Sequence, residues 1–185
     1  MFKKFKVKEI IFLAVLAAVT TLFGGLAMPF MRSEIFGMQT LATCLFYSLF
    51  AAVAIMKVRK SGTLTIFGLL TGFPLLFMAP VMFFDNFLGA LLGEAAALLI
   101  WRSYEKKAPI VLGSALFMVL TVPLSLPFSI WFNGTSIERF RSTALWQTGL
   151  VFLGVIALSV LGAFLGLKIA GELQKAGKLR PYDEQ

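Results

Sequence analysis

Residues 10–30 read IIFLAVLAAVTTLFGGLAMPF and follow four lysines, Lys3, Lys4, Lys6 and Lys8. The run carries no charge, and its length matches the hydrocarbon core of a bilayer, which about 20 helical residues cross. Lysines beside such a run mark the end that stays in the cytoplasm. A cleaved signal peptide has a shorter apolar run and a small-residue cleavage site, so we interpret this run as a retained transmembrane helix.

The composition extends this interpretation to the whole chain. Of its 185 residues 59% are hydrophobic, 14% are charged and 20 are phenylalanine. A chain of this size cannot hide so much apolar surface in a soluble core, which predicts an integral membrane protein. The net charge of +8 lies in short clusters between apolar runs. Such clusters are topology signals, so a nucleic-acid partner is not expected.

Five further apolar runs follow, at residues 38–56, 63–78, 87–101, 110–132 and 144–167. The predicted fold class is therefore all-α: a polytopic membrane protein that forms a compact bundle of six transmembrane helices. The bundle is a single domain covering residues 1–185, because the connecting loops are too short for a soluble domain. Both termini are predicted to be cytoplasmic, with residues 171–185 as a short tail.

This topology implies a strong asymmetry of charge across the membrane. The cytoplasmic side would hold fourteen cations: Lys3, Lys4, Lys6, Lys8, Lys57, Arg59, Lys60, Arg102, Lys106, Lys107, Lys168, Lys175, Lys178 and Arg180. The outer side would hold three: Arg32, Arg139 and Arg141. In loops this short, an excess of Lys and Arg on one side is typical of the cytoplasmic face.

The residue types and motifs that the sequence lacks exclude several kinds of catalytic and binding site. The chain has no histidine, which excludes the usual zinc sites, Ser-His-Asp triads and Cys-His pairs. It also lacks the Gly-x-x-x-x-Gly-Lys-Ser/Thr loop that holds ATP. We therefore expect no enzyme activity, no cofactor and no metal site. The alternative is an intramembrane enzyme acting on lipid through Glu94 or Asp85, although an isolated carboxylate has no recognisable catalytic companion.

Prolines point to a cavity in the outer half of the membrane, where Pro29, Pro74, Pro80, Pro123 and Pro127 fall. Interrupted helices at membrane depth are tolerated where protein or a wet cavity satisfies the backbone. The candidate substrate-binding cluster around this cavity is Arg32, Asp85, Asn86, Ser125, Ser129, Trp131, Asn133, Arg139, Arg141, Trp146 and Gln147. The alternative for the aromatic members is a belt at the outer membrane interface, and for the loop arginines a solvated surface.

Glu94 is the one acidic residue deep in a predicted span. A charge at that depth costs at least about 2.5 kcal/mol unless it is paired, protonated or in a cavity. Ligand contact, proton relay and structural pairing are all open roles, and the glycines and alanines around it slightly favour a structural hydrogen bond.

Small residues recur at helical spacing. The pairs are Gly68 with Gly72, Gly89 with Gly93, Gly162 with Gly166, Ser48 with Ala52, and Ala14 with Ala18. Lipid gives helices no hydrophobic reason to associate, so close backbone approach at small residues is what packs them. We expect the first four pairs to pack within the bundle.

Taken together, these features resemble the S components of energy-coupling factor (ECF) transporters, most closely the MptS or Trep-Strep family. The resemblance lies in the opening Lys-Val-Lys-Glu-Ile at residues 6–10, the Ala14-x-x-x-Ala18 pattern, the basic turn and glycine-rich span at 57–72, the acidic span around Glu94, and the ending at 162–168. It covers nearly the whole chain.

The resemblance implies a substrate-binding subunit of an ABC-type importer in the plasma membrane. Its partners would be a transmembrane coupling protein and two cytoplasmic ATPases, with Ala14 and Ala18 as the docking surface for the coupling protein. The implied cargo is a vitamin-like micronutrient. Heme or another tetrapyrrole, with methionine or tyrosine as iron ligand, is the close alternative. A stand-alone transporter using the proton gradient through Glu94 is a further one.

Overall fold

The computed structural model describes residues 5–33, 35–132 and 136–177, and these ranges contain helices and turns without a strand. The helices are α1 (Val7–Gly24), a 3-10 helix (Gly25–Arg32), α2 (Met38–Val58), α3 (Thr63–Leu76), α4 (Pro80–Trp101), α5 (Lys107–Trp131), α6 (Ser136–Ser142) and α7 (Leu145–Lys175). Five of them, α1, α2, α4, α5 and α7, are long and apolar enough to cross a membrane. The predicted all-α fold class is thereby confirmed for the described residues, and the five apolar helices suggest a membrane protein. Helix α3, with 14 residues, is shorter than a usual span.

Three predicted boundaries are wrong, each for a local reason. The first run is not one helix to residue 30, because α1 ends at Gly24 and the 3-10 helix containing Pro29 follows. The fourth helix begins at Pro80 rather than at 87, since proline at the first helical position loses no hydrogen bond. Asp85 and Asn86, which fall between the predicted third and fourth runs, therefore lie inside α4. The last helix continues past 167 to Lys175.

Helices α1, α2, α3, α4, α5 and α7 alternate in direction. A Cβ placed on Gly68 meets Ala90 and one on Gly72 meets Phe83, so α3 and α4 are antiparallel. Gly154 of α7 lies against Leu41 of α2, and Gly166 lies against Leu49. The residue numbers of the two helices rise together, so α7 runs parallel to α2. The start of α1, the turns at 59–62 and 102–106 and the end of α7 consequently share one end of the bundle. We call it the basic end, after the cations of those segments, and we call the other end the distal end.

Helix α2 lies at the centre, packed against α7, α5, α1 and α3. Its contact with α7 is made backbone to backbone: a Cβ added at Gly162 would overlap the carbonyl oxygen of Leu45. A Cβ on Gly93 of α4 would come within 3.0 Å of the Gly113 carbonyl oxygen on α5. The predicted packing of the glycine pairs within the bundle is confirmed.

A buried ion pair holds the start of α1 to the basic end. Lys60 donates to both carboxylate oxygens of Glu9 over 2.6 and 2.8 Å, and the backbone N–H of Lys6 donates to the same carboxylate over 2.7 Å. The ammonium group of Lys60 also lies 5.7 Å from the centre of the Phe5 ring. Glu9 has no exposed surface. The sequence analysis predicted Lys60 only as a topology signal and did not identify this pair.

We expect Gly162→Ala to lower the free energy of unfolding by about 1–3 kcal/mol, the usual cost of overpacking, because the new methyl group must push α7 away from α2. Gly171→Ala is the matched control on the same helix, since nothing lies within 4 Å of its Cβ position. SDS titration in mixed micelles measures both variants. Equal stability of the two would contradict the close α2–α7 contact.

We expect Glu9→Gln to destabilise the protein by about 3 kcal/mol, because removing one member of a buried ion pair leaves the other charge without its counterion. Glu172→Gln serves as control: that residue also pairs with a lysine, Lys175, but both side chains are largely exposed, and such pairs contribute little. A Glu9→Met, Lys60→Met double variant should recover part of the loss. Unfolding in detergent, followed by circular dichroism, measures the stability of all three variants. An unchanged unfolding midpoint of Glu9→Gln would refute a stabilising role for the buried ion pair.

Candidate functional site

A cavity of about 320 Å³ lies at the distal end of the bundle. It is enclosed by the first half of α2, the end of α3, the start of α4, the second half of α5, the loop at 35–37 and α6. Its lining residues are Gly24, Ile35, Phe36, Gly37, Gln39, Thr40, Thr43, Tyr47, Leu75, Ala79, Val81, Met82, Asp85, Asn86, Met118, Thr121, Val122, Ser125 and Arg139. Apolar walls with a few polar groups are typical of a small-molecule site.

The loop before α2 and the short helix α6 cover this cavity together. The backbone N–H of Phe36 donates to the Thr143 hydroxyl over 3.0 Å, and that hydroxyl donates to the Arg139 carbonyl over 2.6 Å. The rings of Phe36 and Phe140 meet edge to face with centres 5.4 Å apart. Gly37 then starts α2 with φ +80°, a conformation that favours glycine.

Asp85 and Asn86 supply the acidic and amide groups of the cavity wall. They are only 7% and 8% exposed. The Asn86 side-chain nitrogen donates to the Met82 carbonyl over 3.0 Å, which leaves the amide oxygen as the free acceptor. Within the described ranges, Oδ1 of Asp85 and Oδ1 of Asn86 have no hydrogen-bond partner. A buried acceptor in this state costs about 1–3 kcal/mol, so the cavity holds unused binding capacity.

A row of polar residues on α2 forms another wall, and the sequence analysis missed it. Gln39, Thr43 and Tyr47 follow one another at steps of four and line the cavity with Thr40. Steps of four place side chains on one face of a helix. Polar side chains at that spacing in an otherwise apolar span were therefore a usable signal.

Two prolines and two hydroxyl groups lie in the distal half of α5. Pro123 and Pro127 remove two backbone donors from this part of the helix. Thr121 donates to the Met118 carbonyl over 2.7 Å and Ser125 to the Val122 carbonyl over 2.8 Å. By i−4 spacing, the carbonyls that the prolines leave without a helical donor are those of Val119 and Pro123, so these hydroxyls bond other carbonyls. Ser125 keeps its oxygen as an acceptor towards the cavity.

The structure brings four residues of the predicted substrate-binding cluster into the cavity lining: Asp85, Asn86, Ser125 and Arg139. Ser129 lies beside it, buried, and accepts the backbone N–H of Ile137 over 3.3 Å, which ties α6 to α5. The side chains that point away are Trp131 at 82% exposure, Trp146 at 67%, Arg141, also exposed, and Gln147, half-buried. Asn133 and the Arg32 side chain lie outside the described residues.

Glu94 lies apart from the cavity, at the basic end. One oxygen of its carboxylate accepts the backbone N–H of Gly62 over 2.7 Å, and the other accepts the N–H and the hydroxyl of Thr65 over 2.9 and 2.6 Å. A carboxylate at the first turn of α3 satisfies orphan backbone donors and complements the helix dipole.

Tyr104 adds a further donor to Glu94, over 3.2 Å. Burial and the neighbouring carboxylate raise the pKa of Tyr104, so its hydroxyl stays protonated and donates. Glu94 thus joins α3, α4 and the 102–106 turn in one structural hydrogen-bond network.

Helix α1 divides into two faces. Its buried face carries Glu9, Leu13, Ala17 and Thr20. Ala14 and Ala18 lie on the opposite, exposed face, beside Ile11, Val15 and Leu22, which are 58%, 60% and 79% exposed. Within the described bundle, this apolar face therefore packs against no other helix.

No protein-family description, curated protein or solved structure matches this chain. The chemistry of the cavity and the layout of the helices therefore carry the functional argument.

We expect Glu94→Gln to lower the free energy of unfolding by about 2 kcal/mol, because one of its oxygens becomes an NH₂ group that faces a donor. Glu105→Gln, an exposed carboxylate in the adjoining turn, should leave stability unchanged. SDS titration and co-purification of small solutes measure stability and binding separately. Loss of solute binding at full stability would assign Glu94 to a transport step instead.

Proposed function

We propose that this chain is the substrate-binding, membrane-embedded S component of an ECF-type importer. It captures a small organic micronutrient at the outer face and delivers it through a coupling module driven by ATPases in the cytoplasm. The observation that carries the proposal is the distal cavity: it is buried among four of the long helices, lies opposite the basic end and contains unsatisfied polar atoms.

The charge distribution supports this orientation. The turns of the basic end and the helix ends beside them carry six cations: Lys57, Arg59, Lys60, Arg102, Lys106 and Lys107. Arg139 and Arg141 lie on α6 at the distal end. An excess of Lys and Arg marks the cytoplasmic side, so the cavity opens towards the exterior. The proposal includes a location in the plasma membrane with both termini in the cytoplasm.

Six spans follow if α3 is counted. Its 14 residues give about 21 Å of helix, less than the hydrocarbon core. Yet it connects the basic end, after α2, with the distal end, before α4, and packs against both of those helices. A short helix can span the membrane where the protein satisfies the backbone groups at its ends. At one end of α3, the backbone N–H of Gly62 donates to the Glu94 carboxylate.

The size of the cavity favours a vitamin-like cargo. About 320 Å³ is near the lower limit of ligand sites, which range from about 300 to 1,000 Å³. Heme or another tetrapyrrole is the second candidate, because Tyr47, Met82 and Met118 line the cavity and are possible iron ligands. Binding of heme would give a shifted Soret band that the apoprotein lacks.

The energy source is proposed to lie in partner subunits, a transmembrane coupling protein and two ATPases. The sequence has no phosphate-binding loop of the ATPase type. A stand-alone proton-coupled mechanism through Glu94 is less favoured, because that carboxylate is occupied by backbone and side-chain donors and does not line the cavity.

The exposed apolar face of α1 is the proposed docking surface. Ala14 and Ala18 let a partner helix approach closely, and small residues at this spacing are what membrane helices use for such contacts. Neither residue lines the cavity, so docking and solute capture use different surfaces of the chain.

We expect Ala14→Trp and Ala18→Trp to reduce uptake and co-purification of the coupling protein at least tenfold, because the indole blocks close helix approach. The solute retained by the purified chain, measured by mass spectrometry, should not change. Ala95→Trp is the matched control, an exposed alanine on α4. Undiminished uptake in both α1 variants would refute the docking surface, and a purified protein that retains no organic solute would count against the binding role.

A further inference from the structure

We infer that the solute is a nitrogen base whose N–H groups are bound by Asp85 and Asn86. This inference rests on the proposed function and specifies the chemical class of its cargo. It starts from two adjacent residues of α4 that lie in the cavity wall and end in unpaired acceptor oxygens.

The orientation of both groups restricts what they can bind. One N–H of the Asn86 amide is already used by the Met82 carbonyl at 3.0 Å, whereas its Oδ1 has no partner within the described ranges. Asp85 is absent from the salt bridges formed among the described residues, and its Oδ1 has no donor there. The pair therefore presents acceptors, and a complementary ligand presents donors.

Other unpartnered atoms do not weaken this reading of the cavity. The hydroxyls of Ser48, Thr148 and Ser159 also lack partners in the described ranges, but they do not line the cavity. A hydroxyl is also neutral, whereas a buried carboxylate needs a counter-charge or several hydrogen bonds. Asp85 is thus the group whose burial a bound ligand most readily compensates.

An organic cation fits better than a metal ion or an anion. The cavity lining includes the apolar side chains of Leu75, Val81, Met82 and Val122, which suit a carbon skeleton. Among the described residues, no group of three or more His, Cys, Asp or Glu side chains could hold a metal ion. An anionic ligand at this wall would face the two unpaired acceptor oxygens of Asp85 and Asn86.

Arg139 lines the cavity from α6 and is already engaged in an interaction within the protein. The inference does not depend on it. If the solute also carries an anionic group, that group is expected on the α6 side, away from Asp85.

Such a site discriminates strongly between ligands that carry hydrogen-bond donors and ligands that lack them. A ligand that fills the cavity without offering donors leaves both acceptors unpaired, and sites built to hydrogen-bond a ligand reject analogues that lack the bonding group. The site should therefore separate ligands of equal shape by their donors.

The test uses two probes of equal shape, benzamidine and benzoate, on the full chain in phosphatidylcholine nanodiscs, with equilibrium dialysis as readout. Benzamidine carries N–H donors and a positive charge, whereas benzoate carries only acceptors. We expect benzamidine to bind at least tenfold more tightly than benzoate. Asp85→Asn should weaken benzamidine binding at least tenfold, and Glu172→Gln, the same change at an exposed site of the basic end, should leave it unaltered.

A thermal unfolding curve for each variant shows whether Asp85→Asn is folded; if it is not, the wild-type preference between the probes decides. Three outcomes overturn the inference: benzoate binds as tightly as benzamidine, neither probe binds, or a folded Asp85→Asn variant keeps the wild-type preference for benzamidine. If the purified chain retains a solute without N–H groups, the proposed transport function stands and this inference alone fails. If it retains no solute and no coupling protein, the proposed function fails, and the probe preference still reports on the cavity.

Discussion

A polar group buried in a bilayer has no water to bond, so it must find its partners within the protein. The basic end obeys this constraint closely. Glu94 accepts from Gly62, Thr65 and Tyr104, and Glu9 accepts from Lys60 and from the backbone of Lys6. Each carboxylate ties together segments distant in the sequence, and the turns between helices are fixed as a result. The distal end departs from the same constraint at Asp85 and Asn86, two cavity-lining residues whose Oδ1 atoms have no hydrogen-bond partner within the described ranges.

Sequence predicts best the features that depend on local pattern. The apolar runs, the basic turns and the glycine pairs follow from composition and spacing alone, and they recover the all-α membrane protein and the contacts of Gly93 and Gly162. The start of α4 was misplaced because an Asp-Asn pair is typical of turns, whereas Pro80 actually begins the helix six positions before Asn86. The six-span count and the orientation stay predictions.

The candidate site was less accessible to sequence reasoning, for two physical reasons. Tryptophan serves equally in a pocket and at a membrane interface, and only burial separates the two roles; Trp131 and Trp146 are exposed. Contacts between remote positions leave no local signal either, as the pair of Glu9 with Lys60, 51 residues apart, illustrates. The polar row on α2 had a signal in its spacing, but Gln39 and Thr43 each look unremarkable in isolation.

The geometry also constrains how the proposed solute capture and the proposed docking can be connected. Helix α1 is held at its start by the ion pair of Glu9, and it reaches the cavity only at its last residue, Gly24. A Cβ at Gly24 would lie 2.8 Å from the Tyr47 hydroxyl, which itself lines the cavity. An influence of a bound solute on the exposed face of α1 therefore has three routes within the described bundle: this contact, the 3-10 helix that follows, and the packing of α2 and α3, which line the cavity, against α1.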